Sequence, residues 1–204
     1  MDIKITERDV EELRKIFPDL SLSITRQQVW GTLSIQCSYD ENSRKLSDDE
    51  SRENFLQDKY EIRIDFNKQS TFGFPRVEEE SEKIKKFSIN RAIKLNDLHV
   101  EDDDSCCLGV FPEYKWQGVC QFIIDKLIPY FYWQTFRRVY GREPWAGLAH
   151  GVDGIREQLQ KLTPPEARNN RNSRCNCGSG LKYKRCCMIT KEKLGQYLKR
   201  KKRG

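Results

Sequence analysis

Residues 60–66, YEIRIDF, carry the clearest strand pattern in the sequence. Apolar side chains at positions 62, 64 and 66 alternate with charged ones, so the two kinds would point to opposite faces of a strand. A second alternating segment, residues 29–37, predicts another half-buried strand, and residues 76–77 predict a weak third one. The mostly polar residues 38–59 predict a long loop. One apolar and one polar face are typical of an antiparallel sheet.

Helical patterns lie on both sides of these strands. Residues 6–17 predict a first helix, capped by Thr6 and stopped by Pro18. Residues 116–140 have apolar and aromatic residues at helical spacing, with Pro129 expected to break or kink the helix. Residues 152–162 predict a last helix. This order of elements predicts an α+β fold, with an antiparallel sheet flanked by helices.

Length and composition indicate how many domains the protein has and in which compartment we expect it. The 204 residues are 37% hydrophobic and 33% charged, which predicts one core with a small appendage. The N-terminal residues MDIKITERDVEELRK lack the apolar stretch of a signal peptide. No apolar run approaches the roughly 20 residues that a membrane helix needs. We therefore expect a cytoplasmic protein with no membrane partner.

Charge separates the chain into two parts. Residues 166–204 hold 13 basic and two acidic side chains, a net charge of +11, whereas residues 1–165 have a net charge of −5. The Pro-rich start and the lack of periodicity in residues 164–173, PPEARNNRNS, predict a linker. We predict a main domain at 1–163, a zinc-binding motif at 174–190 and a basic tail at 191–204.

Four of the eight cysteines cluster near the C-terminus. Cys175, Cys177, Cys186 and Cys187 form the pattern C-x-C-x8-C-C, and clustered cysteines in a cytoplasmic chain are typical of metal binding. Four thiolates suit tetrahedral Zn²⁺ and disfavour Mg²⁺ or Ca²⁺. So short a segment has almost no core of its own. The pattern predicts a structural Zn²⁺ that supplies the folding energy of a small knuckle.

The run CNCGSGLKYKRCC at 175–187 resembles the SEC-C zinc motif over about residues 174–188, with Cys187 where many members have His. Basic side chains surround it at Lys182, Lys184 and Arg185, and residues 199–204 read KRKKRG. Such a surface is typical of binding to nucleic-acid phosphates. A solubilising tail, or a docking site for an acidic protein surface, explains the same residues equally well.

The most reactive side chains of the main domain lie in residues 97–114, DLHVEDDDSCCLGVFPEY. Cys106 and Cys107 have three explanations: a redox or metal site, packing in the core, or one nucleophile beside a packed neighbour. Adjacent side chains of an extended segment point to opposite faces, which favours the third explanation. The acidic residues 101–104 either orient an incoming amine or form a solvated loop.

A family resemblance extends over about residues 5–162. The segment GFPRV, then H-V-x-x-D-x-S-x-C-L-G from His99, and later GREPWAGLAHGVDGI at 141–155 resemble bacterial ubiquitin-conjugating enzymes. The resemblance implies the ubiquitin-conjugating-enzyme-like fold, with Cys107 as the acyl-accepting thiol and Cys106 as a packing residue. It places His99 at the head of the catalytic loop, in the role of loop support rather than metal ligand. His150 would be a base or orienter, or else a structural histidine.

The resemblance implies a cysteine-dependent transferase. Cys107 would accept the C-terminal carboxyl of a partner protein as a thioester and pass it to an amine, in antiviral CBASS signalling. The donor would be a cGAS-like nucleotidyltransferase or a ubiquitin-like protein. Negative charge at 101–104 disfavours a thiolate, so we expect an already activated donor. The alternative is an inactive adaptor that binds nucleic acid or a protein through the knuckle and basic tail.

One departure from the family pattern concerns the oxyanion. The eukaryotic members read His-Pro-Asn, and their Asn supports the oxyanion or the loop. Here Val100 and Glu101 follow His99, and an anionic Glu has no hydrogen to donate to an oxyanion. We expect a backbone N–H or His150 to fill that role, or the role to be vacant.

Overall fold

A computed structural model gives the structure of residues 4–70, 74–109, 116, 118–145, 171–175 and 180–201. The described residues up to 145 belong to one compact unit, and residues 171–175 and 180–201 belong to a second. The predicted helix at 152–162, His150, Cys177 and most of the predicted linker lie outside the described residues. No helix in these ranges is long and apolar enough to cross a membrane.

The strand predicted at 60–66 lies inside a five-stranded antiparallel sheet. The strands are β1 (Leu20–Ser23), β2 (Gln28–Asp40), β3 (Lys45–Ser47), β4 (Leu56–Gln69) and β5 (Pro75–Glu79). Their order is β1–β2–β4–β5, and β3 pairs with the end of β2. All three predicted strands are therefore confirmed, and each is longer than its apolar pattern suggested.

One face of the sheet forms the core of the first unit. Val29, Ile64 and Val77 lie opposite one another on β2, β4 and β5, and all three are fully buried. Asp65 was expected on the solvent face, yet it is buried and accepts a hydrogen bond from the Gln28 amide at 3.0 Å. The register shifts between Asp65 and Gln69, and this irregularity changes the simple alternation at the end of β4.

The predicted loop at 38–59 is wrong in part. β2 continues to Asp40, β3 pairs back on it, and β4 already begins at Leu56. Most of these added strand residues are polar, so hydrophobic alternation did not reveal them. Ser38 is buried but contacts the Ser47 hydroxyl at 3.1 Å, and the Asp40 carboxylate accepts the backbone N–H of Asn42 at 2.9 Å in the connecting turn.

The helices of the first unit are α1 (Glu7–Ile16), α2 (Lys83–Arg91), α3 (Val119–Phe122) and α4 (Ile128–Tyr140). A π-helical turn, Ile123–Leu127, joins α3 to α4. Pro129 therefore does not end the predicted helix. A proline lacks an N–H and its ring collides with the carbonyl one turn back. The widened turn directly before Pro129 is where the helix accommodates it.

Helix α4 packs on the buried face of the sheet. The Phe131 ring lies 4.5 Å from the ring of Tyr60 on β4, measured between centroids. Below them the Asp58 carboxylate accepts hydrogen bonds from Lys83 of α2 at 2.6 Å and from Thr135 of α4 at 2.9 Å. The sheet and the helices thus share one core, and Asp58 forms ion pairs with Lys83 of α2 and with Arg138 of α4. The predicted α+β architecture with an antiparallel sheet is confirmed.

The second unit is built from short elements. Residues 173–175 and 181–183 run antiparallel, with Arg174 opposite Lys182. A 3₁₀ turn, Tyr183–Arg185, leads into helix α5 (Cys187–Lys201). This helix crosses the boundary predicted at residue 190, so the end of the zinc motif and the start of the basic tail form one continuous helix.

Candidate functional site

The predicted catalytic loop begins at a left-handed residue. A 3₁₀ turn, Leu95–Leu98, ends at His99, whose φ of 54° is unusual for a residue with a side chain. The chain then folds back on itself: Val100 pairs with Cys106, and the Glu101 N–H donates to the Ser105 carbonyl at 2.8 Å. The result is a tight hairpin that returns Cys106 and Cys107 to the level of His99.

Strand β5 holds one side of this loop. Ser105 pairs with Glu78, and the Cys106 N–H donates to the Val77 carbonyl at 2.8 Å. The Arg76 guanidinium contacts the Asp103 carboxylate and also donates to the Asp103 carbonyl at 2.6 Å. Asp103 is therefore engaged within the structure, which favours the solvated-loop explanation for part of the acidic run over contact with an incoming amine.

Helix α4 holds the other side. The buried Tyr130 hydroxyl donates to the His99 carbonyl at 3.1 Å, and the buried Gln134 amide donates to the Leu98 carbonyl at 2.5 Å. The loop is thus fixed by backbone contacts to the sheet and by side-chain contacts to the helix. No motif or spacing in the sequence pointed to Tyr130 or Gln134. Their only signal was a polar amide within the aromatic run YFYWQTF at 130–136.

The two adjacent thiols differ in their surroundings. Cys106 is 2% exposed, and its thiol is hydrogen-bonded with the Tyr130 hydroxyl. Cys107 is partly exposed. Burial raises the pKa of Cys106 to about 12, whereas the pKa of Cys107 is raised to about 11, again chiefly by burial. Cys107 is therefore the accessible thiol of the pair, and it is a neutral thiol near pH 7.

The acidic run acts on Cys107 through one residue. Burial is the largest cause of the raised pKa, and the Glu101 carboxylate adds to it. The Gly109 N–H donates to the sulfur and acts in the opposite direction. We expected residues 101–104 together to disfavour the thiolate. Instead, burial is the main cause of the raised pKa of Cys107, and Glu101 is the residue of this run that adds to it. The other acids are exposed, and their charges are screened by water.

His99 contacts Cys107 with its backbone carbonyl. The Cys107 N–H donates to the His99 carbonyl at 2.7 Å. The imidazole packs edge-on against the Trp133 ring of α4, with 4.7 Å between ring centroids. This arrangement fits the loop-supporting role that the sequence analysis gave to His99. His150 lies outside the described residues, so its predicted role as a base or orienter stays a prediction.

A separate cleft of about 600 Å³ opens between β3 and the start of α4. Its lining is mostly apolar and includes Tyr39, Trp145, Ile124 and Pro129. One cysteine, Cys37, reaches it, and burial raises the pKa of that thiol to about 11. Cys37 is also only 5% exposed. The cleft thus offers mainly hydrophobic contact, and its one thiol is buried.

The C-terminal cysteines form a cluster. The sulfurs of Cys175, Cys186 and Cys187 all lie within 4.8 Å of one another, and those of Cys186 and Cys187 are 4.0 Å apart. Zn–S bonds of about 2.3 Å in a tetrahedron put two sulfurs about 3.8 Å apart, so the spacing fits a metal. Cys177 lies outside the described residues, so its place as fourth ligand stays a prediction.

The backbone around this cluster explains the convergence. The Cys175 N–H donates to the Leu181 carbonyl at 2.7 Å, and the Cys186 N–H donates to the Tyr183 carbonyl at 3.1 Å. These bonds close a short loop that brings residue 175 to the start of α5. Tyr183 is buried beside the thiols. The cluster could therefore hold a metal ion without rearrangement of its described backbone.

Comparison with known proteins identifies this second site only. The family model described as the SEC-C motif, a zinc-binding type, matches residues 171–189. No curated protein and no solved structure was found to match the chain. The resemblance of the knuckle to the SEC-C motif is therefore confirmed. The resemblance of residues 5–162 to ubiquitin-conjugating enzymes stays a prediction.

Proposed function

We propose that the first unit is a cysteine-dependent protein-conjugating transferase, with Cys107 as its acyl acceptor. The observation that carries the proposal is the difference between two adjacent thiols on one doubly anchored loop. Cys106 is packed in the core, and Cys107 is partly exposed. A fixed loop with one accessible thiol suits an acyl carrier, because a held geometry lowers the entropic cost of the transfer step.

The reaction consists of two exchanges. The Cys107 sulfur attacks the carbonyl carbon of a thioester carried by another protein, forms a new C–S bond and breaks the old one. The departing thiol takes the proton that Cys107 loses. A primary amine then attacks the Cys107 thioester, an amide forms, and Cys107 leaves as a thiol. Both steps need an activated acyl donor and no oxidant.

The raised pKa of Cys107 favours such a donor. With a pKa of about 11, roughly one molecule in three thousand carries the thiolate at pH 7.5. Attack on an unactivated amide needs a strong nucleophile and a way to expel a poor leaving group. A thioester brings a good leaving group with it. The site therefore fits transthiolation better than proteolysis.

The order of elements supports the resemblance to bacterial ubiquitin-conjugating enzymes. Helix α1 precedes an antiparallel meander, the loop with His99 and Cys107 follows β5 and α2, and the long helix α4 covers the sheet. On that resemblance we propose a cytoplasmic role in CBASS-type antiviral signalling. The acyl donor would be a cGAS-like nucleotidyltransferase or a ubiquitin-like protein, activated by another enzyme.

A non-reducing gel tests this function. The protein is mixed with the candidate donor and its activating enzyme, and a thiol-sensitive adduct is expected with the wild type and with Cys106→Ala. The adduct is expected to disappear with Cys107→Ala. An adduct that persists in Cys107→Ala, or a wild type that never forms one with either class of donor, would overturn the proposal.

We also propose that the second unit holds one structural Zn²⁺ on Cys175, Cys177, Cys186 and Cys187. Zinc binds thiolate sulfur tightly, and four thiolates complete the closed tetrahedral coordination of a structural site. Elemental analysis of the purified protein is expected to give one zinc per chain. Cys186→Ser with Cys187→Ser is expected to abolish it, and a stoichiometric metal in that variant would contradict the assignment.

A second candidate function is an inactive adaptor whose second unit binds nucleic acid or an acidic protein. Helix α5 favours it, because five basic residues and one acidic residue lie on the continuous helix that starts at the metal cluster. Phosphate contacts make nucleic-acid affinity fall steeply with salt. Lys191→Glu with Lys193→Glu should weaken such binding, whereas Lys85→Glu with Lys86→Glu on α2 should not. Equal weakening by both pairs would exclude α5 as the binding surface.

A further inference from the structure

The carbonyl of His99 joins helix α4 to Cys107. It accepts the N–H of Cys107 at 2.7 Å and the hydroxyl of Tyr130 at 3.1 Å. A carbonyl oxygen has two lone pairs, so both bonds form at once. The orientation of this peptide group therefore depends on Tyr130, and the backbone of Cys107 depends in turn on the peptide group.

The neighbouring carbonyl is held in the same way. Gln134 lies one turn after Tyr130 on α4, on the same side of the helix. It is 4% exposed, and its amide donates to the Leu98 carbonyl at 2.5 Å. Two successive peptide groups of the loop are thus bound by two buried side chains of one helix. A buried polar group without a hydrogen bond destabilises the fold. Breaking either contact would therefore leave a buried donor without its carbonyl acceptor.

The conformation that these contacts hold is a strained one. His99 has a φ of 54°, and a residue with a side chain is strained in this left-handed conformation relative to an ordinary one. Such a residue persists only where its surroundings impose it. Tyr130 donates to the carbonyl of this same residue, and its hydroxyl also contacts the Cys106 thiol. One side chain therefore touches the start and the end of the hairpin.

We propose that Tyr130 is a positioning residue for Cys107: through the His99 carbonyl it holds the loop in the conformation that presents the thiol. The proposal rests on the transferase function proposed above and names a residue that the function itself does not assign. Tyr130 is buried and acts through the loop, so it is not a catalytic residue. Gln134 assists by holding the preceding peptide group.

Removal of the hydroxyl has opposite effects on two kinds of reactivity. A loop that opens more often gives Cys107 more contact with water. Because burial is the main cause of its raised pKa, the thiol then becomes more reactive toward a small alkylating reagent. Acyl transfer from a protein needs the held geometry, so it becomes slower. A general loss of stability would also expose the thiol and slow the transfer. The test therefore needs a control variant that loses a buried hydroxyl elsewhere on the same helix.

Tyr130→Phe is the test, and Tyr132→Phe is its matched control. Tyr132 is fully buried on the same helix, and its hydroxyl donates to the Asn54 carbonyl at 2.9 Å, so each variant loses one hydroxyl bonded to a loop carbonyl. The rate of Cys107 alkylation by iodoacetamide is followed by peptide mass spectrometry from pH 7 to 10. We expect an increase of about fivefold in Tyr130→Phe, the factor equivalent to one lost hydrogen bond.

The pH profile supplies a second readout. The rise of the Cys107 alkylation rate with pH should begin at lower pH in Tyr130→Phe and stay at its wild-type position in Tyr132→Phe. Equal alkylation rates and profiles in the two variants, or a slower reaction in Tyr130→Phe, would overturn the positioning role. Melting temperatures of both variants show whether the proteins compared are equally folded.

The alkylation needs no acyl donor, so the two proposals fail separately. A changed Cys107 profile in Tyr130→Phe, together with a wild type that never forms an adduct, keeps the positioning role and rejects the transferase. An adduct that forms equally fast in wild type and Tyr130→Phe keeps the transferase and rejects the positioning role.

Discussion

Groups with opposite effects surround the Cys107 thiol. Burial and the Glu101 carboxylate raise its pKa, while the Gly109 N–H, which donates to the sulfur, lowers it. The thiol is therefore held neutral near pH 7 with one donor already directed at the reacting atom. At the scale of single residues, this balance sets the pKa of Cys107 and with it the acyl donors that the protein can use. Substitution of Glu101 should lower that pKa, and substitution of Gly109 should raise it.

Glu101→Gln should lower the pKa of Cys107, because it removes a negative charge that disfavours the thiolate. Between pH 8 and 10 the thiolate fraction then rises, and a fall of one pH unit in the pKa increases alkylation about tenfold. Asp104→Asn is the control, since it removes the same charge from an exposed position of the same run. Equal acceleration in both variants would show a general effect of charge rather than one of Glu101.

Gly109→Ala should have the reverse effect. Gly109 has a φ of 111°, which residues with a side chain rarely adopt, so alanine would turn the N–H away from the sulfur. The pKa of Cys107 should rise and its alkylation at pH 9 should slow, although a new methyl group at this position contacts nothing within 4 Å. Gly141→Ala, at the end of α4 with a φ of 69° and equal space, should leave the rate unchanged. A faster reaction in Gly109→Ala would exclude the amide as a donor to Cys107.

Two helices that are far apart in sequence share one carboxylate. Asp9 is 5% exposed, and its Oδ2 accepts from the Thr6 N–H at 2.8 Å and from the Thr6 hydroxyl at 2.6 Å, at the start of α1. Its Oδ1 accepts the Val119 N–H at 2.9 Å, at the start of α3. At the scale of elements, Asp9 therefore caps the first helix and also fixes the beginning of the helical segment that covers the sheet.

Asp9→Ala should destabilise the first unit by about 3 kcal/mol, because hydrogen bonds to a charged group contribute about 1.5–3 kcal/mol and both helix starts lose their acceptor. Urea unfolding followed by tryptophan fluorescence measures the change. Glu11→Ala, an exposed acid of the same helix, should change the free energy of unfolding by less than about 0.5 kcal/mol. Similar losses in the two variants would show that the second contact, to Val119, contributes little.

The two units of the molecule are stabilised by different means. The first has a sheet and helices around a large aromatic and aliphatic core. In the described part of the second, the buried side chains are three cysteines with Tyr183 and Leu194. So small an apolar core in the described part does not offset the entropy of ordering that part of the chain. At the scale of the whole molecule, we therefore expect the second unit to depend on a bound metal.

Removal of the metal by a chelator should therefore unfold the second unit alone. Hydrogen exchange measured by mass spectrometry should accelerate in peptides from residues 183–201, while peptides from β2 and β4 keep their protection. The melting temperature of the first unit should stay constant within about 1 °C, because it loses no contact of its own. Faster exchange in β2 or β4 on chelation would mean that the units depend on each other.

Much of the fold was readable from local patterns. The strands at 29–37 and 60–66 and the helix after Thr6 follow from alternation, helical spacing and capping, which act between residues close in sequence. The polar end of β2 and the strand β3 were missed, since their pairing is stabilised by side chains such as Ser38 and Ser47, which carry no hydrophobic signal. The break expected at Pro129 is absent, because the π turn before it accommodates the proline, and helix propensity does not reveal such a turn.

The cysteine pattern by itself determined the second site, since ligands for one small ion must lie close together in so short a loop. It also predicted residues 97–114 as the reactive part of the main domain, and the structure describes 97–109 of them. The family resemblance predicted Cys106 as the packed thiol and Cys107 as the reactive one, and the tertiary structure places Cys106 in the core and leaves Cys107 partly exposed. Only the tertiary structure decided that burial outweighs the acidic run and that Tyr130 and Gln134 hold the loop. Burial and hydrogen bonds between α4 and the loop join residues about 30 positions apart, and no local pattern in the sequence encodes such distances.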